Sequence, residues 1–222
     1  MTFIRLVFIG LICFSSYCQA HNYCYFIPPQ DWQCADPKNL SSHVQVGFFG
    51  KGQTNFHPSL NLAIEEIDNV TMKEYLKAVK NLHESDHKTT WRDLGKFQTK
   101  AGPANLTEIT TKNNWGEIRM LQLILIAEKK AYIITGAMLK EEFAEFRDPI
   151  VKAFRTLTLT ENLLEGVNDS EKKVKLQDAM QNMPFDNFQK LVLKETKEMG
   201  LHWQILLLKD AFEKIKKDQK KP

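Results

Sequence analysis

Residues 91–139 read as four consecutive strands: "WRDLGKFQTK", "GPANLTEIT", "GEIRMLQLILIAEKK" and "AYIITGAML". Nothing else in the chain limits its fold so strongly. The segments are rich in β-branched residues, and the breaks at Ala101-Gly102-Pro103 and Lys129-Lys130 leave room only for tight turns. Strands joined this closely pair with their sequence neighbours, so the expected core is an antiparallel meander.

The flanking segments add further strands and helices. "CYFIPPQDW" starts as a short strand and stops at Pro28-Pro29, because proline cannot donate to a ladder. "HVQVGFFG" alternates until Gly50. "SLNLAIEEI" alternates strictly, with Leu60, Leu62 and Ile64 against Asn61, Ala63 and Glu65, so one face is buried. "TMKEYLKAVKNL" then switches to helical period. Thr71 and Glu74 form a capping box, and Met72, Tyr75, Leu76, Val79 and Leu82 are read as the inward stripe. "KEEFAEFRDPIVKAF" predicts a second helix with Phe143, Phe146, Ile150, Val151 and Phe154 inward; Pro149 marks an early turn or a kink. "RTLTLT" is expected to close the sheet.

After Glu161 the composition changes to Lys, Glu, Gln, Met and Leu with few strand signals. Residues 161–170 read as a linker, and residues 171–222 as a helical extension. Helices are expected near 171–183, 186–199 and 202–217, with Pro184 and Gly200 between them. Leu201, Ile205, Leu208 and Phe212 are read as the apolar stripe of the last. Two readings of these helices stay open. They fold back onto the body of the protein, or the Trp203–Phe212 segment and the lysine-rich tail make a peripheral contact with a membrane surface or a partner helix.

The first twenty residues, "MTFIRLVFIGLICFSSYCQA", carry one cation at Arg5, an apolar run from Leu6 to Phe14, and small residues before Ala20. That is the layout of a secretory signal cleaved after Ala20, too short for a permanent bilayer span. The expected location is exported, periplasmic or secreted, with no integral membrane segment after removal of the signal. Export leaves Cys24 and Cys34 as the remaining cysteines, a candidate disulfide closing a short loop, with two buried free thiols as the alternative. Sequons begin at Asn39, Asn69, Asn105 and Asn168, and matter only in a eukaryotic secretory host.

The net charge of +3 lacks the basic stripe with interleaved aromatics that a nucleic-acid binder carries, so nucleic acid is not an expected partner. One stretch spells a catalytic pattern: His83-Glu84-Ser85-Asp86-His87 satisfies H-E-x-x-H. Histidines at i and i+4 on a helix share a zinc ion while the glutamate polarises a water. Here the apolar stripe stops at Leu82, the interior of the pattern is charged, and no third ligand follows at a familiar spacing. His83, Glu84 and His87 are therefore kept only as an alternative metal site. Glu65-Glu66 and Glu141-Glu142 are adjacent carboxylates expected to face solvent, and Trp115 is a contact candidate if exposed. No catalytic residue and no cofactor is assigned; the chain lacks a G-x-S-x-G elbow, a phosphate-binding glycine loop and a CxxC pair.

From Phe26 to Leu159 the order of features resembles the PsbP/Mog/DcrB-like superfamily. The pieces are "YFIPPQDW", "FHPSLNLAIEEI" with the "TMKEYLKAV" helix, "AGPANLTEI", the hairpin "EIRMLQLILIAEKKAYIITGA" and the closing "FAEFRDPIVKAFRTLTL". The resemblance implies an α+β fold, an α/β/α sandwich around a central antiparallel sheet over residues 21–160. The C-terminal helical extension departs from the family pattern. The family also implies a binding or accessory role for a protein partner rather than a shared catalytic constellation.

Overall fold

The computed structural model describes residues 23–220; the expected signal segment and the expected cleavage site after Ala20 lie outside the described residues. The four strands of the meander are β5 (Thr89–Thr99), β6 (Gly102–Asn113), β7 (Gly116–Ala127) and β8 (Lys130–Leu139). With β2 (Gln33–Cys34), β3 (Val44–Phe49) and β4 (Ser59–Glu66) they form a seven-stranded sheet in the order β2-β3-β4-β8-β7-β6-β5. Every neighbouring pair is antiparallel.

Alternation along these strands produces two different faces. Leu60, Leu62, Leu121, Leu123, Leu125, Tyr132 and Ile134 turn to one side and pack with Phe146, Ile150, Ala153 and Phe154 of α2 (Phe143–Arg155). Each such fully buried side chain contributes about 1.5–3 kcal/mol by leaving water. Gly136 sets the spacing here: a Cβ on it would lie 2.6 Å from Ile150 Cγ2. The opposite face carries Ile124, Ala131 and Ile133 under Met72, Tyr75 and Leu76 of α1 (Met72–Glu84). The sandwich expected from the sequence is present, and the Thr71–Glu74 capping box starts α1 with bonds in both directions.

One strand departs from expectation. "RTLTLT" does not close the large sheet; its strand β9 (Thr158–Thr160) pairs antiparallel with β1 (Tyr23–Tyr25) in a separate ribbon. The reason is where the chain leaves α2. That helix lies across the sheet face, so the chain emerges above the face rather than beside an edge. Lys100 N–H and Ala101 N–H bond the carbonyls of Arg155 and Leu157, which ties this exit to the β5–β6 turn.

The ribbon joins two cores. Cys24 and Phe26 point into the main core, whereas Tyr25 between them enters a second one. That second core is built by α3 (Ser170–Asn182), α4 (Phe185–Glu195) and α5 (Leu201–Gln219), with Leu176, Phe188, Val192, Trp203, Leu207 and Ala211 buried. Residues 161–170, read as a linker, contain a 3-10 turn at Leu163–Gly166 whose Leu163 and Leu164 are buried in the same core.

Candidate functional site

The HESDH stretch straddles a helix end. His83 and Glu84 are in the last turn of α1, Ser85 is its C-cap, and His87 lies in the turn beyond. The two imidazoles therefore do not share a helical face. His83 lies eleven residues after Met72, close to three full turns, so it continues the sheet-facing stripe. It is half-buried, and burial lowers its pKa. Leu82, assigned to that stripe from sequence, is instead 70% exposed. Asp86 does not turn toward the covered face either: it accepts from Lys88 N–H at 3.0 Å and Thr89 Oγ1 at 3.0 Å, shaping the entry to β5, and these bonds lower its pKa. Among the described residues no cluster of three or more His, Cys, Asp or Glu side chains is placed to hold a metal ion.

The expected Cys24–Cys34 bridge is not formed. Cys24 is buried in the ribbon and Cys34 sits on β2 at an edge of the large sheet, so the two strands belong to different ladders. Burial raises both thiol pKa values. Of the four sequons, Asn105 is buried and donates to Asp93 Oδ1 at 2.7 Å, whereas Asn39, Asn69 and Asn168 are exposed.

The carboxylate pairs also need correction. Glu65 and Glu66 face outward as read, bonded to Tyr75 Oη at 2.6 Å and Lys130 Nζ at 3.5 Å. Glu142 does not face solvent; it is 3% exposed. Its Oε1 accepts from Gln53 N–H at 2.6 Å, and its Oε2 has no partner. The carboxylate anchors the 50–58 loop to the start of α2, a role a dipeptide of glutamates does not announce.

The C-terminal helices carry two adjoining grooves. α3 and α4 flank a groove of about 910 Å³ lined by Val174, Ala179, Met183, Pro184 and Leu191, with Glu171 and Asp178 on its rim. A second groove of about 1430 Å³ shares Asn182, Met183 and Pro184 with the first and continues past Met180, Phe185 and Phe212 to Lys216 on α5. The turn between α3 and α4 is thus the ridge between two grooves, the second of which is also lined by Gln177, Gln181, Lys214 and Lys217. Four of the seven large apolar side chains exposed among the described residues are on these helices or the turn between α3 and α4: Val174, Met183, Leu193 and Phe212. Phe212 stacks with Phe185 at 5.4 Å and lies under Lys216 Nζ at 4.5 Å. Lys175 is neutralised by Glu195 at 2.8 Å and Lys214 by Asp210 at 2.9 Å.

The opposite side of α5 holds the extension to the sandwich. Tyr23 Oη donates to Asp210, and burial, followed by that carboxylate, pushes the phenol up to about 12. Trp203 meets Tyr25 edge-on at 6.3 Å. His202 is wedged between Phe26 at 5.0 Å and Phe48 at 6.0 Å. Its Nδ1 is buried without a partner, and desolvation drives its pKa down to about 3, so the ring is neutral. Of the two readings left open by the sequence, the helices fold back. Trp203 is fully buried and unavailable to a membrane surface. Among the described residues no helix is long and apolar enough to cross a bilayer.

No family model and no curated protein matches the chain. Solved structures give weak likenesses. LpqN of Mycobacterium tuberculosis, described as involved in cell envelope biogenesis, is 11% identical with a TM-score of 0.46, covering 62% of this chain and 83% of that one. Cyanobacterial PsbP from Synechocystis is 13% identical with a TM-score of 0.43, covering 61% and 86%. The Saccharomyces cerevisiae Ran-binding protein Mog1p is 13% identical with a TM-score of 0.43, covering 62% and 90%. At these scores the likeness assigns no activity and no partner.

Proposed function

We propose that this chain is an exported, non-catalytic binding or accessory protein of the cell envelope, and that it holds a protein partner on the outward face of α3, α4 and α5. The observation that carries the reading is the pair of adjoining grooves around Met183 and Pro184, where Val174, Leu191, Phe185 and Phe212 stand among polar and charged side chains on a helical extension that is itself docked. A large exposed apolar patch on a soluble protein is a contact surface more often than an accident. Grooves between helices accept an apolar helix edge from a partner protein. The N-terminal segment supports export, and the mature protein should begin at His21; N-terminal sequencing that finds Met1 on the extracytoplasmic protein would contradict this part.

Binding itself is tested by affinity purification of the tagged chain from its native compartment, in parallel with a Val174→Asp/Met183→Asp variant. Both positions are exposed, so the variant should unfold at the same urea concentration as the wild type. The wild type is expected to recover a recurrent protein that the variant loses by about tenfold, equivalent to about 1.4 kcal/mol of binding. Recovery of no recurrent partner, or equal recovery by both chains, overturns the reading.

A further inference from the structure

A separate cleft lies on the other side of the molecule, between α1 and β5. It measures about 480 Å³ and is lined by Met72, Lys73, Leu76, Lys77, Lys80, Trp91 and Asp93. That volume is within the range of about 300–1,000 Å³ usual for small-molecule sites. We propose that this cleft binds a small organic anion with an apolar body, its charged group held by Lys73, Lys77 and Lys80 and its body laid against Met72, Leu76 and Trp91.

The helix geometry explains how the two kinds of side chain meet. Lys73, Lys77 and Lys80 recur at i, i+4 and i+7 and so form one row along α1. Met72 and Leu76 form the adjoining row, which packs on the sheet. Trp91 comes from β5, where it pairs with Ile109 and stands on the α1 side of the sheet two residues before Asp93. The cleft therefore has an apolar floor and a cationic wall. Its one carboxylate, Asp93, accepts through Oδ1 from Gly95 N–H at 2.8 Å and Asn105 Nδ2 at 2.7 Å, and against the three lysines it leaves the lining cationic. Of the three lysines, only Lys80 has an ion-pair partner among the described residues, Glu84 at 3.7 Å.

A second observation points the same way. The indole Nε1 of Trp91 is buried and has no hydrogen-bond acceptor. Buried donors left unpaired are uncommon in native proteins. The three ammonium groups call for a ligand oxygen, and a turn of the indole toward the cleft would bring its N–H to the same atom. The cleft does not adjoin the helical face assigned to the protein partner, so the two proposals stand or fall separately.

The test is a titration of the full secreted chain with hexyl phosphate, inorganic phosphate and hexanol, followed by calorimetry and by tryptophan fluorescence. Hexyl phosphate should bind saturably and at least about tenfold more tightly than either fragment. Lys73→Gln/Lys77→Gln should weaken it by about tenfold, and Trp91→Phe should remove the fluorescence change while leaving the urea midpoint near the wild-type value. Added salt should weaken binding, because the lysines are exposed. No saturable binding of hexyl phosphate at millimolar concentration overturns the proposal. Equal binding by the lysine variant, or co-sedimentation with phosphatidylglycerol vesicles in place of binding to the soluble compound, also overturns it.

Discussion

At the scale of single residues, His202 shows how a polar side chain serves as packing. Its ring fills the space between Phe26 and Phe48 at the seam of the two cores, and it stays neutral because nothing there stabilises a charge. The pH dependence follows. The folded-state pKa, about 3, lies below the ordinary value of 6.5, so the stabilisation is complete above pH 6.5 and is lost as the pH falls toward 3. Between pH 7 and pH 4.5 that loss is about 2–3 kcal/mol. Urea midpoints at those two pH values should show it, and His202→Leu should remove much of the difference. An unchanged pH dependence in the variant would place the acid sensitivity elsewhere. The cysteines give a second check. Denatured without reductant, the chain should take up iodoacetamide at both Cys24 and Cys34, as free thiols require. Neither feature is legible in the sequence: a lone histidine shows no burial, and two cysteines show no strand assignment. Glu142 was hidden in the same way, because its partner, Gln53, is distant in sequence.

At the scale of elements, local signals were legible where one face alone is covered. The capping box and the sheet-facing positions Met72, Tyr75 and Leu76 of α1 were plain from the helical period. The period failed at Leu82, since hydrophobicity rather than angle selected it; His83 is the residue in line. Thr71→Ala should cost about 1 kcal/mol in the urea midpoint by unpairing the first turn. In α5 the stripe expected at Leu201, Ile205, Leu208 and Phe212 is not the deepest one. The fully covered residues include His202, Trp203, Leu207 and Ala211. This helix is pressed by the sandwich at its start and by α3 and α4 along its length, so apolar residues surround it and no single stripe stands out. The fit between α2 and the sheet makes a sharper prediction. Gly136→Ala forces a methyl against the buried Ile150 and should destabilise the chain by about 1–3 kcal/mol, read as a lower urea midpoint at an unchanged slope.

At the scale of the whole molecule, the meander and its two layers were legible because strands adjacent in sequence are adjacent in space. The β1–β9 ribbon was not, since it joins positions more than a hundred residues apart, and only the path of α2 determines the pairing. That ribbon makes the extension part of the body. Tyr25 and Trp203 share one core, while Cys24 and Phe26 belong to the other. The result is a helical extension fixed on its inner side, with Val174, Met183 and Phe212 set among polar side chains on its outer side. Such an arrangement suits a surface that must be presented without being flexible. The most direct measurement is photocrosslinking in living cells from a benzophenone amino acid placed at Val174 or Met183, with exposed Lys96 on β5 as the control position. The account predicts a discrete protein adduct from the two helical positions and none from Lys96. Adducts absent at Val174 and Met183, or equal at all three positions, would contradict it.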